Sequence, residues 1–343
     1  MNKVVIVGRV PDAGRKILYE RCAGRYDVAE VLSNKELAKH LDGTYYILRG
    51  FPMGAAEIEK LGGDARLIHR WGVGFDAVDI EAAGKKGIIV SICAGVNSQP
   101  VAELTVMLML ASLRHLPELM SRAKAGRKDK EDIIARSWLI SGKRVGLVGL
   151  GSIGRRVAAA VGGMGAEVTY YDPFRAAPET EKELGVEFLP LDELLKSSDI
   201  VSLHMPLLDS TRHLIDAAAL AKMKPSALLV NTARGGIVDT EALLKALAGK
   251  CLFGAALDTI ENEPLPADHP AFSLDNLIIT PHAGGNTEDN NRNMAAYIMD
   301  NIDAMESGRG PTPRSVVNRQ FLGKQRISDP LWNIRTASDP QIF

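Results

Sequence analysis

Short apolar runs recur along the chain, and helix-like stretches fill the gaps between them. In the first third, "VVIVG" from Val4, "YYILRG" from Tyr45, "RLIHRW" from Arg66 and "IIVSIC" from Ile88 have the length and β-branched content of buried strands. The stretch "SNKELAKHL" opens with Ser33 and carries Glu36 three residues on, the spacing of a helix capping box. Strands that alternate with helices predict a parallel sheet covered on both faces, an α/β fold.

A second series begins near Lys143. Its strands are "RVGLVGL", "EVTYYD", "VEFLP", "IVSLHMP", "ALLVNTA", "LFGAALD" and "NLIIT". Two α/β units follow from this. The apolar stretch "PVAELTVMLMLASLRHL", from Pro100, reads as a long helix linking them. The stretch "NRNMAAYIMDNIDAME", from Asn291, reads as a helix that returns to the first unit. The expected boundaries are 1–98 with 287–320 for one domain, 99–286 for the other, and 321–343 for a tail without clear periodicity.

The bulk numbers narrow the function. A chain of 343 residues exceeds what one core usually serves. Lys and Arg total 41 and Asp and Glu 42, so nothing suggests a nucleic-acid surface. Three separated cysteines, Cys22, Cys93 and Cys251, make neither a disulfide framework nor a metal site, and they fit a reducing, cytoplasmic setting. The run "LTVMLMLASL" is too short to span a bilayer, so no membrane partner is expected.

In "RVGLVGLGSIGRRVAAAV" a strand runs into Gly149, Gly151 and Gly154 in the G-x-G-x-x-G spacing, and a helix follows. Such glycines permit a tight turn and close approach to a pyrophosphate, which the free N–H groups of the helix start then hold. The motif alone is weak in a chain with 32 glycines. Gly72, Gly74 and Ala77 mimic it, but Asp76, Asp79 and Glu81 beside them would repel a pyrophosphate. Asp172 decides between the two. It ends the next strand, eighteen residues after Gly154, near the spacing at which an acid holds the adenosine ribose hydroxyls. An acid there predicts NAD(H) rather than its 2′-phosphorylated form.

Ligands of open α/β sheets bind beyond the carboxyl ends of the strands. Three strands of the second unit end there in Arg234, in "TIENEP" with Glu261 and Glu263, and in "PHAGG" with His282. Taken singly, each reads as an ordinary strand-end polar residue. Converging beside a nicotinamide, they suit the reduction of a 2-oxo acid. Arginine grips the carboxylate, histidine gives a proton to the carbonyl oxygen, and a carboxylate orients the histidine and favours its charged form.

"GLGSIG" with Asp172, "MKPSALLVNTARGG", "AALDTIENEP" and "TPHAGG", with "GVGFDAVD" and "GVNSQPVAELT" upstream, resemble the D-isomer-specific 2-hydroxyacid dehydrogenase family over about residues 1–318. The resemblance implies a Rossmann NAD-binding domain inserted into a flavodoxin-like substrate domain, with catalysis in the cleft between them. It implies Arg234, Glu263 (rather than Glu261) and His282 as the catalytic residues. Implied cofactor contacts are Gly149, Gly151, Ser152, Ile153, Gly154, Asp172, Pro206, Thr232, Ala233, Asp258, His282 and Gly284, with Asp258 near the nicotinamide amide. Backbone N–H groups around Val73 and Gly74 would hold the substrate carboxylate, with Asn97 and Arg234 as further substrate contacts, and no metal is implied. The family also implies a homodimer. Ile260 departs from it, standing where an aromatic is usual.

The substrate expected from the resemblance is a small 2-oxo or 2-hydroxy acid. "LRGFPMG", from Leu48, is expected to line its pocket, with Phe51 and Met53 favouring a small or partly apolar group. Arg49 either reads a phosphate or second carboxylate or pairs on the surface. The rival reading, an NAD-sensing corepressor-like binding protein of the same fold, keeps the same three polar residues.

Overall fold

The computed structural model describes residues 1–322; the rest of the expected tail, 323–343, lies outside the described residues. The chain divides into two compact units. Among the described residues, one is Met1–Asn97 together with residues 285–322, and the other is Ser98–Gly284.

The first unit holds a parallel five-stranded sheet: β1 (Lys3–Val7), β2 (Asp27–Val31), β3 (Tyr45–Leu48), β4 (Leu67–Arg70) and β5 (Ile89–Ser91), in the order β2-β1-β3-β4-β5. That is the flavodoxin-like order. The central β3 is buried at every position because helices cover both faces. The sequence reading missed β2. Its segment "DVAEV" is an edge strand of mostly exposed or half-exposed positions, so it lacks the continuous apolar signal of its neighbours. The Ser33 helix spans only Asn34–Leu37. Ser33 Oγ accepts from the Glu36 N–H as the capping pattern predicts, but Glu36 reaches back one residue further, to the Leu32 N–H at 2.7 Å.

The helix Glu288–Glu306 packs on the helix Asp12–Cys22 of the same unit. Phe321, expected to open a tail, instead closes a short 3-10 turn, Arg319–Phe321, docked on Gly84. A Cβ on that glycine would lie 2.3 Å from Phe321 Cβ.

The second unit holds a parallel seven-stranded sheet: β6 (Arg144–Val148), β7 (Glu167–Tyr171), β8 (Val186–Phe188), β9 (Ile200–Leu203), β10 (Leu228–Asn231), β11 (Gly254–Leu257) and β12 (Leu277–Ile279). The order is β12-β11-β10-β9-β6-β7-β8, so the order in which strands are added reverses between β6 and β9. This is the Rossmann order with one added strand, and β6 ends at its switch point. β9, β10 and β11 are buried throughout, and in β10 and β11 the first polar residues come only where the strands run out. The long apolar helix runs Ser98–Leu113 and stops short of its expected end, because His115 takes a left-handed backbone (φ 49°) and a separate helix, Leu116–Lys124, follows. No helix among the described residues is long and apolar enough to cross a membrane.

Candidate active site

The glycine loop leaves β6 and enters the helix Ser152–Gly163. Gly149 has φ 104°, and a Cβ there would lie 2.8 Å from the His204 carbonyl oxygen. A Cβ on Gly154 would lie 2.3 Å from the Gly149 carbonyl oxygen. Side chains at these positions would therefore push the helix away from the strand and fill the cradle. Asp172 braces the loop: its Oδ2 accepts from the Leu150 N–H at 2.9 Å and its Oδ1 from the Phe174 N–H at 3.0 Å. Ser152 is exposed at the helix start, with Ile153 half-buried behind it. The cradle, the open helix start and the half-buried acid together fit a dinucleotide. Three other expected contacts differ in availability. Pro206 is half-exposed, whereas the Thr232 hydroxyl faces Thr105 at 2.8 Å inside the unit, and Ala233 is 9% exposed.

The loops after β10, β11 and β12 lie side by side. Asn231, the last residue of β10, receives the Ala233 N–H on its side-chain oxygen (3.0 Å) and donates its amide to the Arg234 carbonyl (2.9 Å). Arg234 thus leaves the strand in a fixed turn, half-exposed, with Nη1 donating to the Ala233 carbonyl at 2.7 Å. Gly235 follows because only a glycine fits: a Cβ would lie 2.2 Å from the Ile260 carbonyl carbon and 2.5 Å from the Glu261 nitrogen. This contact locks the Arg234 loop against the loop that carries Glu263. Ile260 itself is buried at 6% exposure.

The third loop is organised by a buried carboxylate. Asp258, 2% exposed, accepts from the Thr280 hydroxyl (2.6 Å) and from the Ala283 and Gly284 N–H groups (2.8 Å each). The His282 N–H donates to the Asp258 carbonyl oxygen at 2.9 Å. His282 sits between these tethers with φ 52°, a conformation few non-glycine residues adopt and one that clusters at functional sites. Its Nδ1 is 2.7 Å from Glu263 Oε1, while half of the ring stays exposed. The neighbouring carboxylate does something else: Glu261 Oε1 is 2.7 Å from Nε2 of a different histidine, His213.

The first unit carries the other expected residues. Arg70 Nε donates to the Gly74 carbonyl at 3.0 Å and shapes the loop after β4. Among the described residues the Val73 and Gly74 N–H groups make no hydrogen bond, which suits an anion. The Asn97 side-chain oxygen is shielded and has no hydrogen-bond partner. Its Cβ lies 3.6 Å from where a Cβ on Gly285 would stand. Arg49 is half-buried and donates to the Arg9 carbonyl at 2.6 Å; burial lowers its ionisation from the usual arginine range. Met53, expected to line a pocket, is fully buried instead. Backbone bonds to Ala77 and Asp79 pull it into the apolar cluster of Leu48, Ile58, Ile68 and Val78. Sequence reasoning did not find Asn231, Thr280 or the bracing role of Asp258. Only the position of each at a strand end hinted at it.

A parallel sheet of Rossmann order with a glycine cradle and a half-buried acid at its switch point defines a dinucleotide-dependent α/β enzyme. The sequence profile of the NAD-binding domain of D-isomer-specific 2-hydroxyacid dehydrogenases matches residues 106–284. A glyoxylate reductase of Thermococcus onnurineus is 35% identical over 331 residues, covering 94% of this chain and 98% of that protein. A hydroxypyruvate reductase of Thermotoga maritima is 38% identical over 278 residues, covering 80% and 89%. The crystal structure of D-lactate dehydrogenase with NAD+ from Lactobacillus jensenii superposes with a TM-score of 0.75 at 28% identity, covering 92% of this chain and 99% of that one. The chain belongs to the D-isomer-specific 2-hydroxyacid dehydrogenase family, and it is an NAD(H)-dependent oxidoreductase.

Proposed function

We propose that the protein reduces a small 2-oxo acid to the D-2-hydroxy acid, reversibly, with His282 as the acid/base and Arg234 and Glu263 as its catalytic companions. The carrying observation is the 2.7 Å contact between His282 and Glu263, on loops tied to that of Arg234. Bound NADH supplies the hydride at the carbonyl carbon. Arg234 holds the substrate carboxylate and polarises the adjacent carbonyl. His282 delivers its proton to the carbonyl oxygen from the ring nitrogen not engaged by Glu263, and the Glu263 carboxylate stabilises the charged ring before transfer. In the reverse direction neutral His282 takes the hydroxyl proton.

The Gly149–Gly154 loop with Ser152 and Ile153 would hold the pyrophosphate, and Asp172 the adenosine ribose. Pro206, Thr232, Ala233, Asp258 and Gly284 would complete the cofactor contacts. The Val73 and Gly74 N–H groups and Asn97 would add to carboxylate binding. The substrates in view are glyoxylate and hydroxypyruvate, in line with the relatives named above, together with pyruvate and 3-phosphohydroxypyruvate. Arg49, near which no carboxylate lies within 4 Å among the described residues, makes the phosphorylated acid worth including. The reading extends to a homodimer in a reducing, cytoplasmic setting.

The test is NADH oxidation over a panel of these acids, with chiral analysis of the product. Turnover of any one with D-product supports the reading. No turnover with any, alongside tight NADH binding, would leave the corepressor-like alternative in its place.

A further inference from the structure

A second histidine–carboxylate pair stands in the same unit as His282 and Glu263, and the proposed chemistry does not use it. His213 Nε2 is 2.7 Å from Glu261 Oε1, and Glu261 Oε2 accepts from the Thr240 N–H at 3.2 Å. His213 arrives from the loop after β9 with a left-handed backbone (φ 49°), and its own N–H donates to the Gly236 carbonyl at 2.9 Å. Burial would push the Glu261 carboxyl up, but the hydrogen bonds from His213 and Thr240 outweigh it and hold the group below the ordinary carboxylate range.

The place of Glu261 in its loop gives the pair its meaning. Ile260 is buried and Glu261 half-buried, whereas Asn262, Glu263 and Pro264 are all exposed. Glu263 itself is solvent-exposed, and the side-chain contact it makes is with His282. Glu261 is the last tethered residue before it, and Asn262, with φ 57°, turns the chain between the two acids.

We infer that His213 and Glu261 are positioning residues for the reduction: they anchor the loop that presents Glu263 and so fix the Glu263–His282 pair in its working arrangement. This rests on the reading of His282 and Glu263 given above. A simple surface ion pair would add little stability and leave turnover alone. A positioning pair acts on turnover, because small displacements of a catalytic group are costly.

The experiment compares Glu261→Gln, His213→Ala and His213→Gln for kcat and KM with hydroxypyruvate and glyoxylate, NADH affinity by fluorescence, and melting temperature. The first two variants should lose kcat by about tenfold with KM and NADH affinity within about twofold. His213→Gln keeps a donor for Glu261 and should recover at least about half of the lost turnover, and it stands in should His213→Ala fail to fold. In a His282→Ala background, Glu261→Gln should cost nothing further, since residues acting as one unit are not additive. Unchanged kcat in Glu261→Gln, or an undiminished loss on top of His282→Ala, overturns the positioning role alone. Full turnover in His282→Ala itself overturns the reading of the site, and this inference with it.

Discussion

Nδ1 of His282 and Oε1 of Glu263 lie 2.7 Å apart on loops that follow two neighbouring strands, β12 and β11. The contact sets a half-exposed imidazole beside a carboxylate, the pairing that the proposed proton transfer uses. His282→Ala should therefore lower turnover by roughly 100- to 10,000-fold, the range for a lost general acid, while NADH binding stays nearly intact. Stopped-flow reduction and NADH fluorescence titration check it. Near-normal turnover would move the proton donor elsewhere.

Glu263→Gln keeps the shape of the side chain and removes its charge. Reduction needs the charged ring and oxidation the neutral one, so the variant should lose more in reduction than in oxidation. Reduction consumes a proton, and its rate should fall towards alkaline pH while oxidation rises. Paired pH–rate profiles in both directions measure this. Equal losses in the two directions would count against a role for the charge.

Asp172 reaches the glycine loop through the Leu150 N–H, so it braces the cradle and, in the proposed reading, would also present an acid to the ribose. The unmutated protein should prefer NADH over NADPH. Asp172→Ala should erode the preference, chiefly by weakening NADH. Kinetics with both cofactors decide, and equal efficiency with the two in the unmutated protein would remove the role assigned to Asp172.

His69 is fully buried on β4, and burial pushes its pKa down from 6.5 to about 4. Its Nε2 meets the Asn301 amide at 2.9 Å, and Asn301 cannot turn round without losing the Thr312 N–H and hydroxyl from its oxygen. The folded pKa lies below the unfolded one, so the unfolded chain takes up the proton first. The contribution to stability is intact above about pH 6.5 and is lost as pH falls from there towards about 4, on the order of a few kcal/mol in all. His204, pushed down to about 3 by burial, acts in the same sense. Urea midpoints should therefore drop between pH 7 and 5, and His69→Gln should flatten that drop. An unchanged slope in the variant would show that His69 is not the group responsible.

The stretch from Met107 to Leu139 leaves Met107, Leu116, Met120, Ile134, Trp138 and Leu139 between 44% and 68% exposed, a large apolar share for one segment of a surface. A homodimer formed through it should give twice the chain mass by light scattering at micromolar concentration, and Leu139→Glu should shift the population to monomer. A monomeric unmutated protein would refute the assembly.

Much of this was legible in the sequence because it depends on short-range pattern. Most strands of the two parallel sheets read as largely apolar runs, and the polar residues just after β10 and β12 include Arg234 and His282. β2 was illegible because an edge strand needs little apolar content. Met53 was misread because the backbone bonds that turn it inward come from Ala77 and Asp79, more than twenty residues away. The same holds for Glu261 and Glu263. By spacing alone they look interchangeable in "ENEP"; the family resemblance names Glu263, and in space Glu261 meets His213 while Glu263 meets His282. Gly235 reads as a flexible joint in sequence, yet the structure uses it for clearance against Ile260.

The closeness of Asn97 and Gly285 has one more consequence. These residues flank the whole Ser98–Gly284 segment, yet they stand side by side within the first unit, while at the other side of the same junction Gly284 rests against Val101 and Leu104. The cofactor-binding unit is thus a cassette with adjacent ends, spliced into its host fold at a single point. A recombinant that exchanges Ser98–Gly284 for the matching segment of a relative has two seams to repair, both at the same spot, and the helix Glu288–Glu306 and its partner strands stay untouched.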